Sequence, residues 1–128
     1  MGNRFLSLLT TTTLSLAHTQ AIEVIPVWPD LAPGESDKHT GTAQPPKVAD
    51  PTITRVEAIT FPTLQVMRPK RTANGTAIVI LPGGGFRYVV PNLEGSEAGE
   101  IFNTLGITAF VLNYRTTNTG PAGAWLRP

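Results

Sequence analysis

Alternating apolar and polar residues predict short strands in the middle of the chain. Partial alternation runs over residues 54–61 and 63–68, which predicts two strands joined by a tight turn. The dipeptide Asn74-Gly75 is a strong hairpin signal, and it leads into a continuous apolar run over 77–81. We therefore expect these three segments to begin a sheet in antiparallel order.

A helix and a second buried strand are predicted beyond a glycine loop that starts at Pro82. Asn92 can cap this helix, and Gly106 can end it. The apolar positions predicted to share its inward face are Ala98, Ile101, Phe102 and Leu105. The apolar segment 107–112 then predicts a strand parallel to 77–81, because a strand-helix-strand crossover is normally parallel and right-handed.

The remaining segments divide the chain into a leader, an arm and an end. Residues 1–21 place Arg4 before a partly apolar run that finishes in small residues, a pattern typical of a signal peptide. A secreted or periplasmic location is therefore expected. Residues 22–52 are rich in proline and predict an arm without continuous helix or β-ladder. We expect a partial domain over 53–116 and a loop or ragged end over 117–128.

Composition and charge exclude several classes of function. Ten Lys and Arg residues stand against nine Asp and Glu, which gives a formal charge of +1 without the basic block of a nucleic-acid surface. The chain has no cysteine, and its two histidines, His18 and His39, lie outside the segment that predicts a folded domain. We therefore expect no metal site and no cofactor. No apolar run approaches the ~20 residues of a membrane span.

The loop Gly83-Gly84-Gly85-Phe86 is the candidate for chemistry. A dinucleotide-binding fingerprint needs a third glycine at the position of Tyr88, so that motif does not match. A phosphate-binding P-loop needs a lysine at its end, and the sequence has no lysine after Lys70. Adjacent glycines after a central strand suit an oxyanion hole, in which main-chain N–H groups bind a developing negative charge. A glycine turn without chemistry is the alternative that remains open.

Three blocks of sequence around this loop carry a family resemblance. They are PGGGF at 82–86, NLEG at 92–95 and LGITAFVLNYR at 105–115. The blocks resemble the amino-terminal part of secreted bacterial α/β-hydrolase esterases, in the acetyl-esterase or xylan-esterase-like branch with PGGG as oxyanion loop. The upstream segments 27–35 and 62–69 also resemble the entry arm and first strands of that branch, so the resemblance covers about 27–116. It implies the α/β class, as an N-terminal fragment of an α/β-hydrolase fold with an antiparallel start and one parallel β-α-β unit.

The resemblance also implies a function, which is hydrolysis of a carboxylic ester such as an acetylated saccharide by a Ser-Asp-His triad. The backbone N–H groups of Gly84, Gly85 and Phe86 match the family's first oxyanion donors. No serine of the chain lies in a G-x-S-x-G elbow, and the nearest, Ser96, stands at a predicted helix start. Both histidines precede the first predicted strand. We therefore expect an esterase fragment that is inactive by itself.

A non-catalytic interpretation uses the edge of the sheet instead. The apolar strand at 107–112 would lie at an unpaired edge with one helix for cover, which predicts self-association. The alternative hypothesis is therefore a small secreted interaction module that binds a partner strand at this edge.

Overall fold

The computed structural model describes residues 22–117, so the predictions for 1–21 and 118–128 lie outside the described residues. In chain order, the elements are β1 (Glu23–Pro26), β2 (Thr40–Ala43), β3 (Val56–Ile59), β4 (Thr63–Met67), β5 (Ala77–Ile80), a π-helix (Asn92–Ser96), α1 (Glu97–Thr104) and β6 (Thr108–Asn113). None of the described helices has the length and apolar character needed to cross a membrane.

Strands β4 and β6 form the centre of a four-stranded sheet. The strand order is β1-β4-β6-β5, so β1 and β5 lie at the edges. β4 pairs antiparallel with both β1 and β6, and Gln65 has Val24 and Val111 as its partners on the two sides. β5 pairs parallel with β6, with Ile80 beside Val111. Val111 therefore stands at the junction of the antiparallel and parallel parts of the sheet.

The predicted fold class, α/β with an N-terminal fragment of an α/β-hydrolase fold, is wrong for this structure. Strands hold 31% of the described residues and helices 15%, and the mixed sheet stands beside a separate two-stranded sheet. An α/β domain alternates strands and helices so that helices cover a mainly parallel sheet on both faces. Residues 22–117 contain a single α-helix, and only β5 and β6 pair in parallel.

The predicted hairpin between segments 54–61 and 63–68 does not form. β3 pairs with β2 in the two-stranded sheet, while β1 and β6 occupy the two sides of β4. Gly41 of β2 lies so close to β3 that a Cβ there would overlap Val56 and Ile59. Segment 22–52, which was expected to carry no continuous β-ladder, contributes two separate four-residue strands, β1 and β2.

The dipeptide Asn74-Gly75 does not form a hairpin either, since β6 lies between β4 and β5. The Asn74 side chain donates to the Leu105 carbonyl oxygen at 3.0 Å and accepts from the Thr76 N–H at 2.8 Å. The Asn74 N–H donates to the Gly106 carbonyl oxygen at 2.9 Å. The turn thus connects the start of β5 to the end of α1, where carbonyl groups lack helical partners.

The unpaired sheet edge near the parallel strands belongs to β5. The segment 107–112 was expected to be that edge, but β6 pairs on both of its sides, so this prediction is wrong. β6 lies between β4 and β5 in the sheet. The order of the segments along the sequence does not predict this strand order. Among the described strands, β5 pairs on one side only, and Val79 is 51% exposed.

Helix α1 and the preceding π-helix approach the sheet through glycine. Gly95 and Gly99 are their buried residues, whereas Ile101 and Leu105, predicted to face inward, are 65% and 62% exposed. A Cβ on Gly95 would lie 2.6 Å from Cγ1 of Val111. The other two predicted positions are half-buried, so the predicted apolar face is wrong at Ile101 and Leu105 only. The close approach to the sheet requires the side with the smallest residues.

Asn92 does not cap the helix as predicted. The position before the π-helix is Pro91, and no side chain caps this end. Asn92 instead accepts from the Thr54 N–H at 3.0 Å and donates to the Thr52 carbonyl oxygen at 2.7 Å. Its side chain therefore connects the helical segment to the chain that enters β3.

The core lies between β6, β3 and the segment that follows the glycine loop. Ile59, Val89 and Val111 are fully buried. Val56 and Val89 exchange two backbone hydrogen bonds, at 2.9 and 2.8 Å, and this bridge holds the end of the loop against the two-stranded sheet.

We expect Gly95→Ala to lower the free energy of unfolding by about 1 to 3 kcal/mol, the usual cost of overpacking a filled interior. Its new methyl group would meet Val111, which is fully buried. Gly99→Ala should cost less, because its methyl would meet the flexible end of Met67. Urea unfolding of both variants measures this difference, with Glu100→Ala as the exposed helical control. An unchanged midpoint for Gly95→Ala would contradict the close contact.

Candidate functional site

The glycine loop follows β5 at the carboxyl end of the parallel pair. Later residues close it through backbone hydrogen bonds to its carbonyl groups. The N–H groups of Arg87 and Tyr88 donate to the Gly84 carbonyl oxygen, that of Val90 donates to the Gly83 carbonyl oxygen, and that of Thr117 donates to the Phe86 carbonyl oxygen, at 2.7 to 3.4 Å. These bonds use the carbonyl groups of Gly83, Gly84 and Phe86 within the chain.

Two adjacent N–H groups of the loop have no acceptor in the part of the chain that the structure describes. Within residues 22–117, neither Gly84 nor Gly85 donates a backbone hydrogen bond. Gly84 is half-buried, and Gly85 is exposed. A main-chain N–H needs a partner in protein or solvent, so these two groups can bind an acceptor atom that enters from outside. They are two of the three donors that the sequence predicts.

The third predicted residue, Phe86, lies beside them in the left-handed region, at φ +61°. Phe86 is 61% exposed, and its ring centroid lies 5.7 Å from that of Tyr114 at an interplanar angle of 60°. This tilted arrangement is a favourable geometry for an aromatic pair. The two rings form an aromatic wall next to the glycine donors.

Glycine is required at position 84 by its surroundings. Gly84 has φ +142°, and a Cβ there would overlap the carbonyl oxygen of Tyr88. Gly85 has φ +60°, but no atom lies within 4 Å of the place where its Cβ would be. The close approach of the loop to itself therefore depends on Gly84 more than on Gly85.

Glu94 and Tyr114 form hydrogen bonds to the loop that sequence reasoning missed. The Glu94 carboxylate accepts from the Gly83 N–H at 2.6 Å. The Tyr114 hydroxyl donates to the Pro82 carbonyl oxygen at 2.8 Å. Both partners lie far away along the chain, so no local spacing could indicate these contacts.

The Tyr114 hydroxyl keeps its proton well into the alkaline range. Burial is the main cause that raises its pKa above the ordinary value, followed by the charge of Glu94 and that of ionised Tyr88. Tyr114 is therefore a hydrogen-bond donor at neutral pH.

A catalytic triad is not assembled among residues 22–117. The Ser96 hydroxyl donates to the Asn92 carbonyl oxygen at 3.3 Å, within the helical segment. His39 lies with Nδ1 2.6 Å from the Ala58 carbonyl oxygen. In this part of the chain no hydrogen bond joins a serine to a histidine, and no group of three or more His, Cys, Asp or Glu residues could hold a metal ion. His18 lies outside the described residues.

One depression in the described surface is remote from the loop. It has a volume of about 800 Å³ and is lined in part by Glu23, Met67, Arg68 and Asn103. Met67 ends β4 and pairs with Ala109 near the start of β6, whereas the glycine loop follows the carboxyl end of β5. The depression and the loop therefore lie at opposite ends of the sheet.

Comparisons with protein families, curated proteins and solved structures found no match to this chain. The esterase resemblance therefore stays a prediction. What the chain can bind has to be inferred from the geometry of the loop.

We expect Gly84→Ala to disrupt the loop and to cost more than about 3 kcal/mol, because backbone strain adds to a collision with a carbonyl group. Gly85→Ala should cost about 1 to 2 kcal/mol, the penalty of a left-handed conformation without a collision. Thermal and urea unfolding of the two variants measure the difference. Equal losses at both positions would show that the contact with Tyr88 does not shape the loop.

Proposed function

We propose that this chain is part of a carboxylic-ester hydrolase, in which Gly84 and Gly85 donate hydrogen bonds to the ester carbonyl oxygen as it becomes an oxyanion. The observation that carries the proposal is the pair of adjacent N–H groups without an acceptor in residues 22–117. The resemblance of the loop's sequence to esterases is consistent with it, and suggests an acetyl ester of a saccharide as substrate.

The chemistry needs donors that are in place before the reaction. Attack on an ester moves negative charge onto the carbonyl oxygen, and fixed N–H groups stabilise that charge without reorganising. Loss of one such donor in known enzymes costs about 2.7 to 4 kcal/mol of transition-state stabilisation. The aromatic wall of Phe86 and Tyr114 gives the ester an apolar surface beside the donors.

The contribution proposed for this chain is oxyanion binding rather than the whole reaction. None of its serines stands in a G-x-S-x-G elbow, and the Ser96 hydroxyl bonds to a helical carbonyl group. Without an activated nucleophile no acyl-enzyme can form. The predicted export of the chain, to a secreted or periplasmic location, would suit a polysaccharide substrate outside the cell.

A titration with ethyl acetate, followed by NMR, tests the proposed donors. The N–H resonances of Gly84 and Gly85 should shift with added ester, while those of Gly75 should not. Gly75 is the matched control, because it is an exposed turn glycine with open space around it. A neutral probe is chosen because the Glu94 carboxylate beside the loop disfavours a negatively charged one. Equal shifts at all three glycines would contradict specific binding.

The same preparation should hydrolyse a small acetyl ester no faster than buffer does. Rapid turnover that a serine-directed reagent abolishes would contradict the assignment of oxyanion binding alone.

The exposed edge of β5 supports a second candidate function, which is binding of a partner strand. Residues 76–81 carry no charge and no proline, the features that usually protect an edge from pairing. Val79 and Leu81 are 51% and 65% exposed. An edge of this kind can accept a strand from another copy of the chain, which would give the predicted self-association.

We expect Val79→Lys to reduce self-association, because a charge on an edge strand opposes pairing with an apolar strand. Sedimentation velocity over a range of concentrations measures the effect. Val48→Lys is the matched control, since Val48 is fully exposed and lies outside the named strands. A wild-type chain that stays monomeric at all concentrations would contradict pairing through β5.

A further inference from the structure

One peptide group in front of the glycine donors is held at both of its polar atoms. The carbonyl oxygen of Pro82 accepts from the Tyr114 hydroxyl at 2.8 Å. The N–H of Gly83, on the same peptide group, donates to the Glu94 carboxylate at 2.6 Å. A peptide group is planar, so fixing its oxygen and its nitrogen fixes its orientation.

We infer that Glu94 and Tyr114 are positioning residues that orient the Gly84 and Gly85 N–H groups for a carbonyl acceptor. We call Glu94 and Tyr114 together the peptide clamp. This role rests on the proposed function for its chemical purpose, but the contacts that define it do not depend on a substrate.

The sequence of the loop explains why such a clamp is needed. Three consecutive glycines have access to many backbone conformations, and rotation of a peptide group would replace an N–H by a carbonyl oxygen in the site. Backbone bonds from Val90 and from Arg87 and Tyr88 hold the carbonyl oxygens of the two peptide groups that carry the donor N–H groups. The clamp fixes the peptide group directly before these two, so three successive peptide groups of the loop are restrained.

The clamp also joins the elements that surround the site. Glu94 belongs to the π-helix, and Tyr114 directly follows β6. Gly83 leaves room for the carboxylate, since a Cβ at that position would overlap it. The carboxylate is a charged acceptor, and hydrogen bonds to charged groups are stronger than those between neutral groups. Tyr114 has a raised pKa and stays a donor across the neutral range.

NMR of the full chain tests the clamp through Glu94→Ala, Tyr114→Phe and the shape-conserving Glu94→Gln. The control is Glu97→Ala, an exposed acidic residue of the adjacent helical turn without a side-chain hydrogen bond among the described residues. The readouts are the Gly83 amide proton shift, the backbone order parameters of Gly84 and Gly85, and their response to ethyl acetate.

In the wild type and in Glu97→Ala, we expect a strongly downfield Gly83 proton and order parameters of about 0.85 at Gly84 and Gly85, the value of rigid backbone. Glu94→Ala should move the Gly83 proton upfield. Glu94→Ala and Tyr114→Phe should lower both order parameters toward about 0.6. Glu94→Gln should restore part of the order, because its amide oxygen can accept the same bond.

Unchanged order at Gly84 and Gly85 in both Glu94→Ala and Tyr114→Phe would overturn the clamp. If Glu94→Ala fails to fold, Tyr114→Phe decides alone, because it removes one hydroxyl group and keeps the ring. Loss of order in the variants without any ester response in the wild type would support the clamp and contradict the proposed function. An ester response in variants whose Gly84 and Gly85 order parameters stay high would support the proposed function and contradict the clamp.

Discussion

The position of β6 between β4 and β5 is the constraint on which the other features depend. Val111 in this strand pairs with Gln65 on one side and Ile80 on the other, and it is fully buried. Gly95 packs directly on it, at a distance that excludes a side chain. Val111 therefore takes part in the strand pairing, in the contact with the helical segment and in the buried core. Each of these contacts restricts the other two.

The candidate site is a consequence of that arrangement. Because β5 and β6 are parallel, the residues that follow them lie at the same end of the two strands. The glycine loop follows β5, Tyr114 follows β6, and Glu94 precedes α1 on the connection between the two strands. One parallel pair thus brings both ends of the peptide clamp to the Pro82–Gly83 peptide group. The free donors of Gly84 and Gly85 come directly after it.

The two edges of the sheet differ in their chemistry. Along β1, Glu23 forms two hydrogen bonds of 3.0 Å with the Arg68 guanidinium, and the strand ends in Pro26. A charge and a proline are both unfavourable for strand addition. β5 has neither, so it is the edge at which an interaction function has physical support. The glycine loop and this edge belong to the same strand-loop segment, and a partner strand there would lie close to the proposed ester site.

The sequence by itself determined the local features of this protein. Its apolar runs predicted strands near the positions of β5 and β6, its glycines located the loop, and Gly106 predicted where the helix ends. Only the tertiary structure decided the fold class, the partners of β3 and β4, and the face of α1 that packs inward. It alone also revealed the clamp. The reason is distance along the chain: Glu94 lies 11 residues from Gly83, and Tyr114 lies 32 from Pro82. Periodicity reports whether a segment alternates or repeats, but strand partners and long-range hydrogen bonds depend on which segments meet in space.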